Sequence, residues 1–303
     1  MKSNSRSILI TGGTGLIGQA LIPILENYGH RISVLTRQPN RYPSTHNQPN
    51  LFSSFDDIPD SHPVDTIINL AGAQIIGPRW TKQRKHVLRD SRIKLTKNLV
   101  HWITKRQTPI STLISGSAVG YYGNRNDDLL DETEPPGDDF GAYLCRDWEN
   151  ESLALQNLGV RVANIRTGLV LSKSGGMLPP MLFSYKISLG AKIGSGRQWM
   201  SWIHIEDQVK AICHLVHNSS STGAYNLAAP APVSNAEFCD TLARVLNRPR
   251  LFSFPAPLLK LMLGEAAGLV LGGQRAIPDR LQQEGYQFRF QNLETAFIDI
   301  ANS

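Results

Sequence analysis

Cysteine is scarce in this chain: Cys145, Cys213 and Cys239 are all it has in 303 residues, and no C-x-x-C spacing joins them. That scarcity argues against a disulfide framework or a zinc site, so no metal is expected, and it suits a reducing cytoplasm. No apolar run reaches membrane-spanning length, and residues 1–6 are short and polar with a strand close behind, so neither a membrane span nor a secretory signal is expected. No Gly-Lys-Ser/Thr follows a glycine-rich turn, which argues against a phosphate-loop ATPase. Zinc-finger spacing and an arginine-rich arm are also missing, so nucleic acid is not an expected partner. Internal repeats and low-complexity tracts are absent too.

What is present is an ordinary globular composition, 41% hydrophobic and 18% charged. It suffices for a large core, in two domains or in one α/β domain with an appendage. The net charge of +6 is spread thinly except for Lys82, Arg84, Lys85, Arg89, Arg92 and Lys94, which cluster on an expected helix. A solvated face is the plain reading of that cluster, and a pocket for an anionic, phosphate-bearing ligand the sharper one.

Residues 7–17, SILITGGTGLI, with Gly18 after them, are the stretch around which the chain is organised. A short buried strand (Ile8, Leu9, Ile10) meets a glycine turn, and a helix opens near Leu16 with apolar residues at Leu16, Ile17, Ala20, Leu21, Ile24 and Leu25. Gly12 permits the tight turn, Gly15 lets a diphosphate approach the backbone, and Gly18 lets helix and sheet pack closely. The free N–H groups of the first helical turn then face the phosphates. Gly12, Gly13, Thr14, Gly15, Leu16 and Ile17 are therefore the expected grip on a dinucleotide.

A second strand is expected over 30–36, ending at Thr36 and Arg37. An acid at this strand end binds the 2′-hydroxyl of NAD, whereas an arginine without an acid suits the 2′-phosphate of NADP. Thr36 and Arg37 thus point to NADP, with Arg41 as a second cation; a surface role for Arg37 is the alternative. The chain continues with a loop over 39–63 holding a short strand at 50–55, which includes Phe55. A strand at 65–70 follows, leading into Leu70, Ala71 and Gly72. Next come a helix at 81–106, a strand at 111–115, a helix at 140–158 and a strand at 161–166. This alternation predicts a Rossmann-type, doubly wound parallel sheet over 1–171. The rhythm loosens over 172–303, expected to be a smaller α/β substrate lobe, with parts of 199–228 returning to the sheet.

By Asn69-Leu70-Ala71-Gly72 the motifs accumulate into a resemblance. The chain resembles the extended short-chain dehydrogenase/reductases, the nucleotide-sugar epimerase-like superfamily. TGGTGLIG is similar to their T-G-x-x-G-x-x-G, and 69–72 (NLAG) to N-x-A-G. Residues 115–123 (SGSAVGYYG) are similar to S-S-x-x-V-Y-G, and 202–207 (WIHIED) to F-I-H-V-D-D. The nearest likeness is to the atypical "epimerase family protein" subgroup, through Arg79-Trp80, 116–123, C-x-x-W-E at 145–149, 190–198 (GAKIGSGRQ), 202–205 and LGGQRAIPDRL from Leu271. These landmarks span nearly the whole chain and are far more specific for fold than for a reaction.

The resemblance implies a nicotinamide cofactor, a small-molecule substrate between the two lobes, and, as in many relatives, pairing into a homodimer. It adds Phe55, Gln74, Arg79, Ser115, Arg166, Gly168 and Leu169 as cofactor contacts, and Arg197, Trp199 and His204 on the substrate side. For His204, a histidine satisfied by nearby carboxylates or backbone is the competing reading. The superfamily's substrate serine falls on Ser117, with Ser115 as the runner-up. Its Tyr-x-x-x-Lys pair is missing: with Glu149 as reference, the two positions fall on Gly141 and Cys145, and Tyr143 is followed four residues on by Asp147. Tyr121 and Tyr122 beside Ser117 are the replacement proton donors to consider, with packing as their alternative. The expectation is an NADP(H)-dependent oxidoreductase or epimerase, with a non-catalytic NADP(H) sensor as the rival that the missing pair favours.

Overall fold

Runs of β-branched residues ending in glycine turns, alternating with amphipathic helices, build a layered α/β molecule. The computed structural model describes residues 5–39, 42 and 49–302; Arg41 lies outside the described residues. The strands are β1 (Ser7–Thr11), β2 (Arg31–Leu35), β3 (Asn50–Phe52), β4 (Thr66–Asn69), β5 (Thr112–Ala118), β6 (Leu129–Leu130), β7 (Arg161–Thr167), β8 (Leu169–Leu171), β9 (Ala191–Ile193), β10 (Trp199–Met200), β11 (Trp202–His204), β12 (Gly223–Leu227), β13 (Val233–Ser234), β14 (Phe252–Phe254) and β15 (Arg275–Ala276). The α-helices are α1 (Leu16–Asn27), α2 (Lys82–Arg89), α3 (Leu95–Lys105), α4 (Phe140–Leu153), α5 (Leu178–Lys186), α6 (Ile205–His217), α7 (Asn235–Val245), α8 (Ala256–Leu263), α9 (Gly268–Leu271), α10 (Asp279–Gln283) and α11 (Leu293–Asn302).

Seven strands form one all-parallel sheet in the order β12-β7-β5-β4-β1-β2-β3. The chain winds one way from β1 through β2 to β3 and the other way from β4 onward. The crevice past the carboxyl ends of β1 and β4 is therefore the topological switch point, where such sheets bind ligands. One face is closed by α1 and α6 through Leu21, Leu25, Ile212 and Leu215, the other by α3 through Leu99 and Ile103. A separate core joins β8, α5, β11, α7 and α11 around Leu171, Tyr185, Trp202, Phe238 and Phe297. No described helix is long and apolar enough to cross a membrane.

Two departures from the sequence reading matter. The strand expected at 111–115 runs on to Ala118, so Gly116 and Ser117 are strand residues. The helix expected over 81–106 contains a π-helical turn, Asp90–Lys94, between α2 and α3.

At the sheet's amino-terminal side, His30 Nε2 lies 3.0 Å from His217 Nε2. His30 Nδ1 accepts from the Arg6 N–H, and His217 Nδ1 donates to the Cys213 carbonyl. The pair is satisfied only with one proton between the two Nε2 atoms, and burial followed by the His217 charge pulls the His30 pKa down. Burial also lowers His62 and His204. Below the ordinary histidine value of about 6.5 the unfolded chain thus binds more protons than the folded one, and stability falls as pH drops. The melting temperature is expected to fall between pH 7.5 and 5.5, with a shallower fall in His30→Leu. An identical slope in the variant would remove His30 from this linkage.

Candidate functional site

The site grows from the end of β1. Gly12 has φ +72°, and a Cβ there would lie 2.7 Å from the Leu70 carbonyl carbon and 2.8 Å from Ala71 N. A Cβ on Gly18 would lie 2.6 Å from both Gly12 O and Gly13 Cα, so neither position has room for a side chain. Gly15 differs: its backbone is extended (φ −80°, ψ 173°), and the nearest atom to an added Cβ is Gly12 O at 3.2 Å. Gly15 also heads α1, which has no side-chain cap and no acid in its first turn. The first-turn N–H groups and the positive end of the helix dipole thus open outward uncompensated.

They open on a cavity of about 280 Å³ lined by Gly12, Gly15, Leu16, Ile17, Gly18, Leu70 and Gly72 on one side. Gly116, Ser117, Trp148, Ile165, Thr167 and Val170 line the other. Trp148 is held there by a buried chain of bonds. Thr11 Oγ1 donates to Asn69 Oδ1 (2.6 Å), Asn69 Nδ2 donates to Thr96 Oγ1 (2.9 Å), and Trp148 Nε1 donates to the same Thr96 oxygen (2.9 Å). Gly116 makes room for the indole, since a Cβ there would lie 2.7 Å from Trp148 Cη2.

Beneath Ser117 lies a buried ion pair. Arg166 Nε and Nη2 donate to Glu149 Oε1 and Oε2, each at 2.9 Å, and Ser117 Oγ donates to Glu149 Oε1 at 2.6 Å. Arg166 and Glu149 are 4% and 5% exposed. Burial alone would lower the arginine pKa, but the hydrogen bonds and charge of Glu149 outweigh it, and Arg166 stays firmly protonated. Arg166 also donates to the Tyr122 hydroxyl (3.0 Å) and lies 3.5 Å from the Tyr121 ring centroid.

The structure gives several of the expected residues partners within the protein. Tyr122 is fully buried, its hydroxyl donates to Asn226 Oδ1 (2.7 Å), and burial pushes its pKa up to about 12, so it is a packing residue rather than a proton donor. Arg166 spends its guanidinium on Glu149 and Tyr122. Ser115 is fully buried and accepts from Asn69 Nδ2 within the Thr96 network. His204 is 4% exposed, its Nδ1 caps α6 by accepting from the Glu206 N–H, its ring packs on Phe290 with centroids 4.0 Å apart, and its Nε2, buried without a hydrogen-bond partner, lies 3.5 Å from Asp299 Oδ2. Phe55 packs on Trp102, and Gly13 is buried against Val34. Arg79 donates to the Met262 and Leu261 carbonyls at the end of α8, and the Gln74 carbonyl accepts from Arg84. Gly168 and Leu169 are tied by backbone bonds to Leu227 and Ser201, and Leu169 packs into the second core.

Of the remaining expected residues, Gly12, Gly15, Leu16, Ile17, Leu70, Gly72 and Ser117 meet at the cavity. Ala71 is bonded to Thr11 Oγ1 at its edge, and Thr14 is exposed on the turn. Thr36 is bonded to Phe52, and Arg37 is exposed past the end of β2. Tyr121 is half-buried over Arg166, and burial raises its pKa while the arginine opposes the rise. Arg197 is exposed, and Trp199 Nε1 donates to Asp127 (2.7 Å). Cys145 is a buried thiol pushed up to about 12, first by burial and then by Glu149, and so is inert as a nucleophile. Trp148, Ile165, Gly116 and Val170 were not expected among the site residues, whereas Thr167 lies in the segment after Arg166 that the resemblance places under the nicotinamide. The C-x-x-W-E motif was the signal for Trp148; the others look like ordinary strand residues.

A seven-stranded parallel sheet, a glycine-rich turn and an uncapped helix at its switch point define a dinucleotide-binding α/β protein of the Rossmann type. The sequence profile of the NAD dependent epimerase/dehydratase family matches residues 8–228, and that of a domain of unknown function, DUF1731, matches residues 254–300. The chain belongs to this family, as an atypical extended short-chain dehydrogenase/reductase. It is 40% identical over 292 residues to an epimerase family protein of Mycobacterium bovis, with 95% of each chain covered. It is 36% identical over 306 residues to the Arabidopsis thaliana "Epimerase family protein SDR39U1 homolog, chloroplastic", covering 99% of this chain and 88% of that one. The human epimerase family protein SDR39U1, whose structure was solved with NADPH, superposes with a TM-score of 0.87 at 31% identity, over 98% of this chain and 99% of that one.

Proposed function

We propose that this chain binds NADP(H) in the glycine-lined cavity and serves as an oxidoreductase or epimerase-like enzyme on a small carbonyl compound or nucleotide-sugar. The observation that carries the reading is the cradle itself: two glycine positions closed to any Cβ and an uncapped helix start facing the same space. The human relative solved with NADPH supports the choice of cofactor. When bound, the dinucleotide would accept or supply hydride. The chain's own part is to anchor a diphosphate on the amides of Leu16 and Ile17, in the first turn of α1. Thr36 and the exposed Arg37 receive the 2′-phosphate, and Trp148 and Thr167 bound the far end. Ser117 presents a hydroxyl held by Glu149 to the reacting group, and Tyr121 is the remaining tyrosine near it. Arg197 and Trp199 stand on the substrate side, in the part of the chain past residue 171. Pairing into a homodimer belongs to the same proposal.

Arg37→Asp tests the cofactor choice. NADPH affinity is expected to fall by about tenfold or more, with NADH affinity unchanged or improved. Equal loss of both would mean that Arg37 does not read the 2′-phosphate. A second reading, a non-catalytic NADP(H) sensor, is favoured by Cys145 standing where a lysine would be and by the withdrawal of Tyr122. Turnover of any carbonyl compound or nucleotide-sugar by the NADPH-loaded protein would exclude it.

A further inference from the structure

The basic cluster of the sequence resolves unevenly in three dimensions. Lys85 pairs with Glu265 at 2.6 Å and Arg89 with Asp147 at 3.0 Å, while Lys82 and Lys94 are exposed. Arg84 and Arg92 behave otherwise. Among the described residues no carboxylate lies within ion-pair distance of either. Arg92 stands on the π-helical turn and is turned inward against the loop after β4. Its Nη2 donates to the Ala73 carbonyl (2.9 Å), and its Nη1 to Ser91 Oγ (3.3 Å) and the Leu88 carbonyl (3.5 Å). Its guanidinium carbon lies 5.4 Å from the Trp148 ring centroid, and a Cβ on Gly72 would be 3.0 Å from it. Trp148 and Gly72 both line the cavity. Arg84 hands its Nη2 to the Gln74 carbonyl, and its Nε is buried without a partner.

Carbonyl and hydroxyl oxygens accept hydrogen bonds but do not cancel a charge, and a half-buried cation such as Arg92, without a counter-charge, bears part of the desolvation cost. The consequence shows in Arg92, whose hold on its proton is weakened by burial, with Arg84 adding to it and only Cys145 opposing. The three bonds use three of the five N–H donors of an arginine, leaving donors on a planar fork whose shape matches carboxylate and phosphate. π-Helical turns are costly locally and concentrate at functional sites. Here the turn sets Arg92 against the cavity wall.

We propose that Arg92, backed by Arg84, is an anion-binding site behind Gly72 that receives a carboxylate- or phosphate-bearing group of the ligand held in the cavity. The site rests on the dinucleotide reading only in sharing that cavity. Two sources could supply the anion, the diphosphate of the dinucleotide or a charged group of a second molecule, and they are separable. The probe is inorganic phosphate against chloride at equal ionic strength, read by melting temperature on cofactor-free and NADPH-saturated protein, with NADPH affinity measured alongside. The variants are Arg92→Gln, Arg92→Lys and Arg84→Met.

If the dinucleotide fills the site, Arg92→Gln weakens NADPH by about tenfold or more, and phosphate stabilises only the cofactor-free wild type. If a second molecule fills it, NADPH affinity holds. Phosphate then stabilises the NADPH-saturated wild type, and Arg92→Gln loses that response while Arg92→Lys keeps part of it. Arg84→Met, which leaves the Ala73 contact intact, weakens the same response should Arg92→Gln not fold. Phosphate response and NADPH affinity that are both unchanged in Arg92→Gln and Arg84→Met would overturn the proposal. A wild type that responds to phosphate but does not bind NADPH would overturn the dinucleotide reading alone.

Discussion

Gly15→Ala is expected to fold as the wild type does and to bind NADPH on the order of 10–100-fold more weakly. The reason lies in how the three glycines differ. Gly12 combines φ +72° with a wall of backbone at 2.7 Å, and Gly18 abuts Gly12 and Gly13 at 2.6 Å, so a methyl group at either must displace main chain. Overpacking of that kind costs about 1–3 kcal/mol or more, and ligand binding would be lost along with stability. Gly15 is in ordinary extended backbone with its nearest contact at 3.2 Å. A methyl there asks Gly12 O to give by only a few tenths of an ångström, far less than at Gly12 or Gly18, and occupies the approach to the helix amides. Thermal melts and NADPH titrations of Gly15→Ala and Gly18→Ala check both halves. An unchanged NADPH affinity in Gly15→Ala would mean that the turn is a structural device only.

The second large effect is on stability. Glu149→Ala leaves Arg166 buried and uncompensated, frees Ser117, and removes the partner that fixes the guanidinium on which Tyr121 and Tyr122 pack. Breaking one side of a buried ion pair costs about 3–5 kcal/mol. The double change Glu149→Met with Arg166→Met removes both charges together and is expected to recover most of that loss. Chemical denaturation of the two singles and the double gives the coupling directly. Additive losses would show that the two side chains stabilise the fold independently.

Much of this was legible in the residues. The strand Ile8, Leu9, Ile10, the helix opening at Leu16 and the spacing of Gly12, Gly15 and Gly18 carry periods and turn chemistry that local sequence expresses directly. What was not legible depends on contacts between distant segments. Gly116 and Ser117 read as a turn, but they stay in β5 because β7 pairs with them across the sheet. The rhythm loosens past residue 171, where Pro179 and Pro180 stand, although proline suits the first turn of a helix and α5 begins there. Glu149 and Arg166 sit on a helix and a strand with no periodic relation, so nothing in the sequence announces that they consume each other. Arg166 was placed by its resemblance to a segment of relatives and Tyr122 by its nearness to Ser117 in the sequence, and neither signal carries the burial that the fold gives them.

The central claim is that backbone amides behind side-chain-free positions hold the diphosphate of a phosphorylated nicotinamide dinucleotide. Trp148 on the cavity wall supplies a reporter, through energy transfer from indole to reduced nicotinamide. Titration of the wild-type protein with NADPH and with NADH, followed by that signal, is expected to saturate with both and to give the tighter constant for NADPH. No saturation with either, or a tighter constant for NADH, would contradict it.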